Sequence, residues 1–214
     1  MKSSLDEAVS PVVGVMLMLV VTIVLASLVS AFYGGIASDQ VQPPQLTLSA
    51  TPVIEGLADD DRTNEEPDYP GGFNANNGIV FKHAGGDGFS LKDIKVQVQS
   101  RDAKITIAYN DAFKSGPSCV DISRLVKNKD GDPLYFAKVG GGNDDFILPG
   151  DVFMLVADGC YDSTEAPGGG AKYITWTPND AHGTFRAQLY APLEYKIIDK
   201  NSGKAIQTGS FVLR

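Results

Sequence analysis

The first forty residues constrain this chain more than any other stretch. From Ala8 to Ser38 no side chain carries a charge, and within residues 12–36 the only hydrogen-bonding side chains are Thr22, Ser27, Ser30 and Tyr33. A helix crosses the hydrocarbon of a bilayer with about 20 apolar residues at ~1.5 Å rise each. This run supplies that length with some to spare. A helix that is apolar on every side must be buried on every side, in lipid or in protein.

The ends of the run carry helix signals. Ser10 suits an N-cap, where its hydroxyl accepts from a free backbone N–H, and Pro11 suits the first helical position, where its missing N–H costs nothing. Gly34-Gly35, then Asp39 and Pro43-Pro44, mark the exit. A discarded secretory signal has a positive start and an apolar core of about 7–15 residues. Here Lys2 and the amino terminus are offset by Asp6 and Glu7, and the core is about twice that length, although small residues near Ser30-Ala31 suit a cleavage site. An uncleaved signal anchor also fits the apolar run. Small residues recur four apart: Ala26 and Ser30, Ser27 and Ala31, Ser30 and Gly34, Ala31 and Gly35. Such a ladder lets helix backbones approach closely, so it predicts packing of the helix against copies of itself.

The segment Ala8-Val-Ser-Pro-Val-Val-Gly-Val-Met-Leu-Met-Leu-Val-Val-Thr-Ile-Val-Leu-Ala26 resembles the N-terminal domain of archaeal type IV pilins. The shared pattern is a short polar leader, then Ala or Gly, Val-Ser-Pro-Val-Ile/Val-Gly, then a long apolar helix. The resemblance implies that a prepilin peptidase removes residues 1–8 by cutting between Ala8 and Val9. It implies that residues 9–38 anchor the precursor in the membrane and later form the filament core, with Ser10, Pro11, Gly14 and the small-residue ladder in helix assembly. Identical subunits, the assembly machinery and the membrane are the partners it implies. Two departures stand out. Many such leaders are basic before the cut, whereas this one has Asp6-Glu7, and the Glu that bacterial pilins carry at the fifth mature position is replaced by Val13. Registration would then come from apolar packing. The motif resembles an archaellin less, which ranks adhesion above swimming.

The formal net charge of −8 argues against nucleic acid, which needs a basic footprint. Acidity keeps an exposed surface solvated. The two cysteines, Cys119 and Cys160, are too far apart for a CxxC motif, and an even count in an exported domain predicts one disulfide. The alternative is two free thiols. No Asn-x-Ser/Thr acceptor occurs.

Residues 39–214 read as an extracellular β head. Alternating runs predict strands at 45–51, 79–83, 94–99, 104–109, 134–139, 151–157, 173–177, 184–190, 194–199 and 206–213. Ile94, Val96, Val98, Ile105 and Ile107 point inward, and residues 120–126 suit a short strand or a helical turn. Gly, Pro, Asn and Asp punctuate the runs, as in an immunoglobulin-like sandwich or barrel. Residues 57–70 and 71–77 read as exposed loop, 84–88 as a tight turn and 199–203 as a hairpin turn. The phrases at 81–96 and 148–152 also resemble heads that follow this pilin N-terminus, with less specificity because turns converge on such residues.

Candidate chemistry is sparse. His83 reads as a strand-end residue, and neither His83 nor His182 has a hydrolase, zincin or phosphate-loop motif around it. Asn128, Asp130 and Asp132 alternate as in a calcium loop but lack its twelfth-position Glu, so a polar turn is expected. The acidic stretches at 59–68 and 143–145 are treated the same way. The glycine triplets at 140–142 and 168–170 read as loop tips. Trp176, Tyr173, Phe185 and Tyr190 are expected mostly in the core, with some facing outward.

The expectation is a long N-terminal apolar α-helix followed by an all-β head domain, a non-enzymatic pilus subunit without cofactor or metal. The alternative is a monomeric, membrane-anchored extracellular binding protein.

Overall fold

The computed structural model describes residues 10–38, 42–59, 75–113, 119–121, 125–140, 144–163, 170–178 and 184–214. The chain divides into two compact units, residues 1–42 and 43–214. The first contains one helix, α1 (Ser10–Ser38). It runs through Gly34 and Gly35, where its exit was expected, and ends at Ser38. An interior glycine costs only ~1 kcal/mol relative to alanine, and no proline follows before Pro43.

The second unit is a β body. Its strands are β1 (Leu46–Val53), β2 (Ala58–Asp59), β3 (Gly78–Gly86), β4 (Phe89–Ser90), β5 (Ile94–Ser100), β6 (Ala103–Ala108) and β7 (Phe136–Val139). They continue with β8 (Phe146–Ile147), β9 (Val152–Val156), β10 (Gly159–Asp162), β11 (Lys172–Trp176), β12 (Phe185–Gln188), β13 (Pro192–Asp199) and β14 (Ala205–Val212). Hydrogen bonding gives three four-stranded sheets, ordered β1-β3-β9-β7, β12-β11-β10-β2 and β14-β13-β5-β6, and the small sheet β4-β8. These pairings are antiparallel except that of β10 with β2. The body is thus made of several mostly antiparallel sheets and does not close into a barrel.

The alternation read from the sequence sets the faces. In β5, Ile94, Val96 and Val98 are fully buried while Lys95 is exposed. Val96 and Val98 lie opposite Ile197 and Tyr195 of β13, whose alternate residues are also buried. Ile107 of β6 is buried as expected, whereas Ile105 is half-buried. The core continues through the first sheet, where Phe81 and Phe153 are opposed on β3 and β9 with ring centroids 5.0 Å apart. Trp176, Tyr135 and Phe136 are among the largest fully buried side chains. The 199–203 hairpin forms as expected: Gly203 takes φ +68 and its N–H donates to the Asp199 carbonyl at 2.9 Å.

Local differences have physical causes. The turn expected at 84–88 is mostly strand, since β3 continues to Gly86 with the far end of β1 as its partner. His83 therefore lies inside β3 and is fully buried, with its ring edge-on to Phe89 at 5.7 Å. Neither of its ring nitrogens has a hydrogen-bond partner among the described residues. In the stretch read as loop, Ala58 and Asp59 pair with Tyr161 and Asp162; residues 60–74 lie outside the described residues. Within 120–126, Leu125 and Val126 are half-buried without regular structure. Trp176 and Phe185 are buried, Tyr173 is half-buried and Tyr190 projects into solvent.

Cys119 and Cys160 form a disulfide with their Cα atoms 5.7 Å apart. It ties a segment after β6 to β10 across a sequence separation of 41, which the chain-entropy account converts to about 4 kcal/mol. The edge of β1 is held by a side chain. The Gln207 amide accepts from the Leu48 N–H at 2.7 Å and donates to the Leu48 carbonyl at 2.6 Å, so β14 completes the edge pairing of β1. Around β8, Lys138 bridges Asp151 at 2.9 Å, and Asp145 accepts from Lys92 at 3.0 Å and from the Ser90 hydroxyl. Those donors, Ser90 first, hold the Asp145 carboxyl below the usual carboxylate range.

With Asp199, Asp158 is one of two buried carboxylates among the described residues of the body. It accepts from the Tyr135 hydroxyl at 2.7 Å, from the Thr175 hydroxyl at 2.7 Å and from the Thr177 N–H. Burial pushes its carboxyl up, and these donors offset part of that shift. The folded state therefore favours the neutral acid. This contribution to stability is complete below the ordinary carboxylate range and is lost as pH rises through the folded value. In denaturant titrations, the stability deficit of Asp158→Asn relative to the parent should shrink between about pH 4 and pH 7. A deficit that grows with pH would contradict the assignment.

Gly78 supplies a second check. It takes φ +149, and a Cβ there would run into the Leu155 carbonyl oxygen of β9. Gly78→Ala should cost about 1–3 kcal/mol in the same titrations, the range for a strained backbone position. An unchanged midpoint would show that β3 relaxes freely there.

Candidate functional site: an uncovered apolar helix

Helix α1 carries the feature with the strongest functional content. Within residues 12–33 the most apolar 18-residue stretch has a mean hydropathy of 2.9, and every residue of 12–33 is exposed among the described residues. Exposure runs from 47% at Val21 to 79% at Tyr33, with Val, Leu, Ile, Met and Phe distributed around the whole circumference. There is no polar face for water to wet. Soluble amphipathic helices keep such a face, so α1 requires an apolar medium or apolar partners along its length.

Two of its four polar side chains between residues 12 and 33 are satisfied internally. The Thr22 hydroxyl donates to the Leu19 carbonyl at 2.9 Å and the Ser27 hydroxyl to the Ile23 carbonyl at 2.8 Å. Each hydroxyl thus bonds the turn before it, the pattern of serine and threonine in membrane helices. Transfer of the helix out of water then leaves neither group without a partner.

The small residues form a surface feature. Ala26 and Ser30, and Ser27 and Ala31, are exposed and stacked one turn apart, where larger neighbours flank them. Gly14 is likewise open: a Cβ placed there would meet nothing within 4 Å. The fold of this chain therefore makes no use of its smallness. Ser10, Pro11, Gly34 and Gly35 have their backbone in α1. Ala8 and Val9 lie outside the described residues.

The other sequence candidates separate clearly. The Asn128 side-chain oxygen accepts from the N–H groups of Asp130 and Asp132 at 2.9 and 2.8 Å, and its amide donates to Asp132. That is a closed polar turn, with the key oxygen committed to backbone. Among the described residues no group of three or more His, Cys, Asp and Glu side chains could hold a metal. His182, Asn143, most of 59–68 and most of both glycine triplets lie outside the described residues. Sequence reasoning missed Gln207 and Asp158, because both act through partners distant in the chain. No local spacing announces a Gln that pairs with a strand 159 residues away.

Two comparisons relate this chain to known proteins. A protein of Archaeoglobus fulgidus, described as uncharacterized, is 27% identical over 137 residues, covering 64% of this chain and 77% of its own length. The other match is to the family described as archaeal type IV pilin, N-terminal, and it spans residues 7–48. That span contains all of α1, so the uncovered helix and the motif at its start match the archaeal type IV pilin N-terminal domain.

Proposed function

We propose that this chain is a structural subunit of an archaeal type IV pilus that polymerises through α1 into a surface filament for adhesion or cell contact. The observation that carries the reading is a helix of pilin N-terminal type whose whole circumference is apolar and uncovered. In the precursor, lipid covers it. After extraction, a bundle of identical helices supplies an equally apolar environment. Contacts between identical subunits that do not close on themselves propagate an open helix. The matched family is structural and non-enzymatic.

Cleavage between Ala8 and Val9 leaves the apolar helix at the new amino terminus and removes Asp6 and Glu7, whose charges have no place in an apolar core. The β head, residues 39–214, then coats the filament on the outside of the cell. The disulfide suits that oxidising location.

Amino-terminal sequencing of the mature protein should begin at Val9. An intact Met1, or a start after Ala31, would overturn the reading. The small-residue ladder provides the second check. Ala26→Leu combined with Ser30→Leu lengthens side chains on a face that this chain itself leaves empty. Membrane insertion should persist in the double variant, while the yield of sheared filaments should fall about tenfold or more. Filament yield equal to the parent's would show that this face takes no part in assembly.

A further inference from the structure

We propose that a cleft on the β head binds an acidic saccharide, with Arg101 and Arg186 holding its carboxylate. The cleft has a volume of about 540 Å3 and lies where the turn between β5 and β6 meets the second sheet. Arg101 and Asp102 form its rim on one side; Ser163, Tyr173, Arg186 and Gln188 form the other. That volume falls within the ~300–1,000 Å3 of small-molecule clefts. Seven of its ten lining residues carry hydrogen-bonding side chains, interspersed with Ala103, Gly170 and Ala171. Such a mixed surface fits a saccharide, whose hydroxyls alternate with apolar C–H edges.

The charge is unexpected for this protein. The chain has a net charge of −8 and only five arginines, of which two line this one cleft. Both are exposed, and no ion pair of either is present among the described residues. A guanidinium grips a carboxylate with two parallel N–H donors, a geometry that a lysine lacks. Asp102, Gln188 and the Tyr173 phenol add acceptors and donors of the kind that satisfy ring hydroxyls.

The site is also built. Arg186 lies over the Tyr173 ring at 5.1 Å, and Tyr161 stacks on that ring at 5.1 Å. Strand order β12-β11-β10 puts these two neighbours on opposite sides of Tyr173, so the guanidinium is held in place and neither face of the ring is left open. This disfavours a nucleobase, which needs an open aromatic face, and favours a polyol gripped at its edges. Below the rim, Ser163 clamps Ala171 by donating to its carbonyl at 2.9 Å and accepting from its N–H at 3.2 Å. Across the cleft, Arg101 holds φ +53, an uncommon conformation for a residue with a long side chain. Its carbonyl accepts from the Gln99 amide at 3.3 Å.

The cleft lies wholly within the β body, so the proposal stands or falls separately from assembly through α1. The test is calorimetric titration of the full chain in detergent micelles with trigalacturonate and with neutral galactotriose. We expect saturable binding of trigalacturonate, at least about tenfold weaker binding of galactotriose, and weaker binding in added salt. Arg186→Gln and Arg101→Asn, the latter chosen because asparagine tolerates positive φ, should each weaken trigalacturonate about tenfold or more without lowering the melting temperature. Arg186→Lys, which keeps the charge and loses the fork, should fall between parent and Arg186→Gln. Absence of saturable binding, equal binding of the neutral trisaccharide, or full affinity in either neutral variant would overturn the assignment. The contrast between the two trisaccharides on the parent chain needs no variant to fold.

Discussion

Everything in this protein is organised around a helix that water cannot solvate. Residues 12–33 of α1 expose apolar side chains in every direction among the described residues. Two hydroxyls that would otherwise resist an apolar environment are bonded back to their own helix. The helix is therefore equally suited to lipid and to the middle of a helical bundle. That double compatibility is what a subunit needs if it waits in a membrane and is later withdrawn from it. In the proposed filament, Val13 brings no buried charge to neutralise, which leaves the register to shape, and Gly14 and the Ala26–Ala31 ladder offer shape.

The β body solves a different problem. It must stand alone in solvent, and it does so with a continuous core running from Phe81 and Phe153 to Trp176. Long-range ties hold its ends. The disulfide fastens the irregular segment after β6 to β10, and Gln207 fastens the first strand of the body to the last. Because β1 is the strand that follows the helix in sequence, the Gln207 clamp and the pairing of β1 with β3 hold the point at which the chain enters the body.

The sequence made some of this plain and hid the rest for definite reasons. Long alternating strands such as β5 and β13 were legible, because a period of two over several residues has few other interpretations. Strands of two residues, such as β2, β4 and β8, have no period to detect, and β10 begins at Gly159 directly after Asp158, a pair that reads as a turn. His83 looked like a strand end because glycines follow it; pairing with β1 carries β3 past those glycines and buries the ring. The apolar helix was the most legible site, since its requirement is local. The Asp158 network and the cleft of Arg101 and Arg186 were illegible, because the residues that meet there are far apart in the chain and each alone resembles an ordinary polar side chain.

The most direct test of the central claim is electron cryomicroscopy of filaments sheared from cells that produce this protein. The account predicts a core of packed helices in which residues 12–33 of each copy are covered by those of its neighbours, with β heads on the outside. Cell-surface material that contains the protein only as single anchored copies in membrane, or filaments whose core is built from the heads, would contradict it.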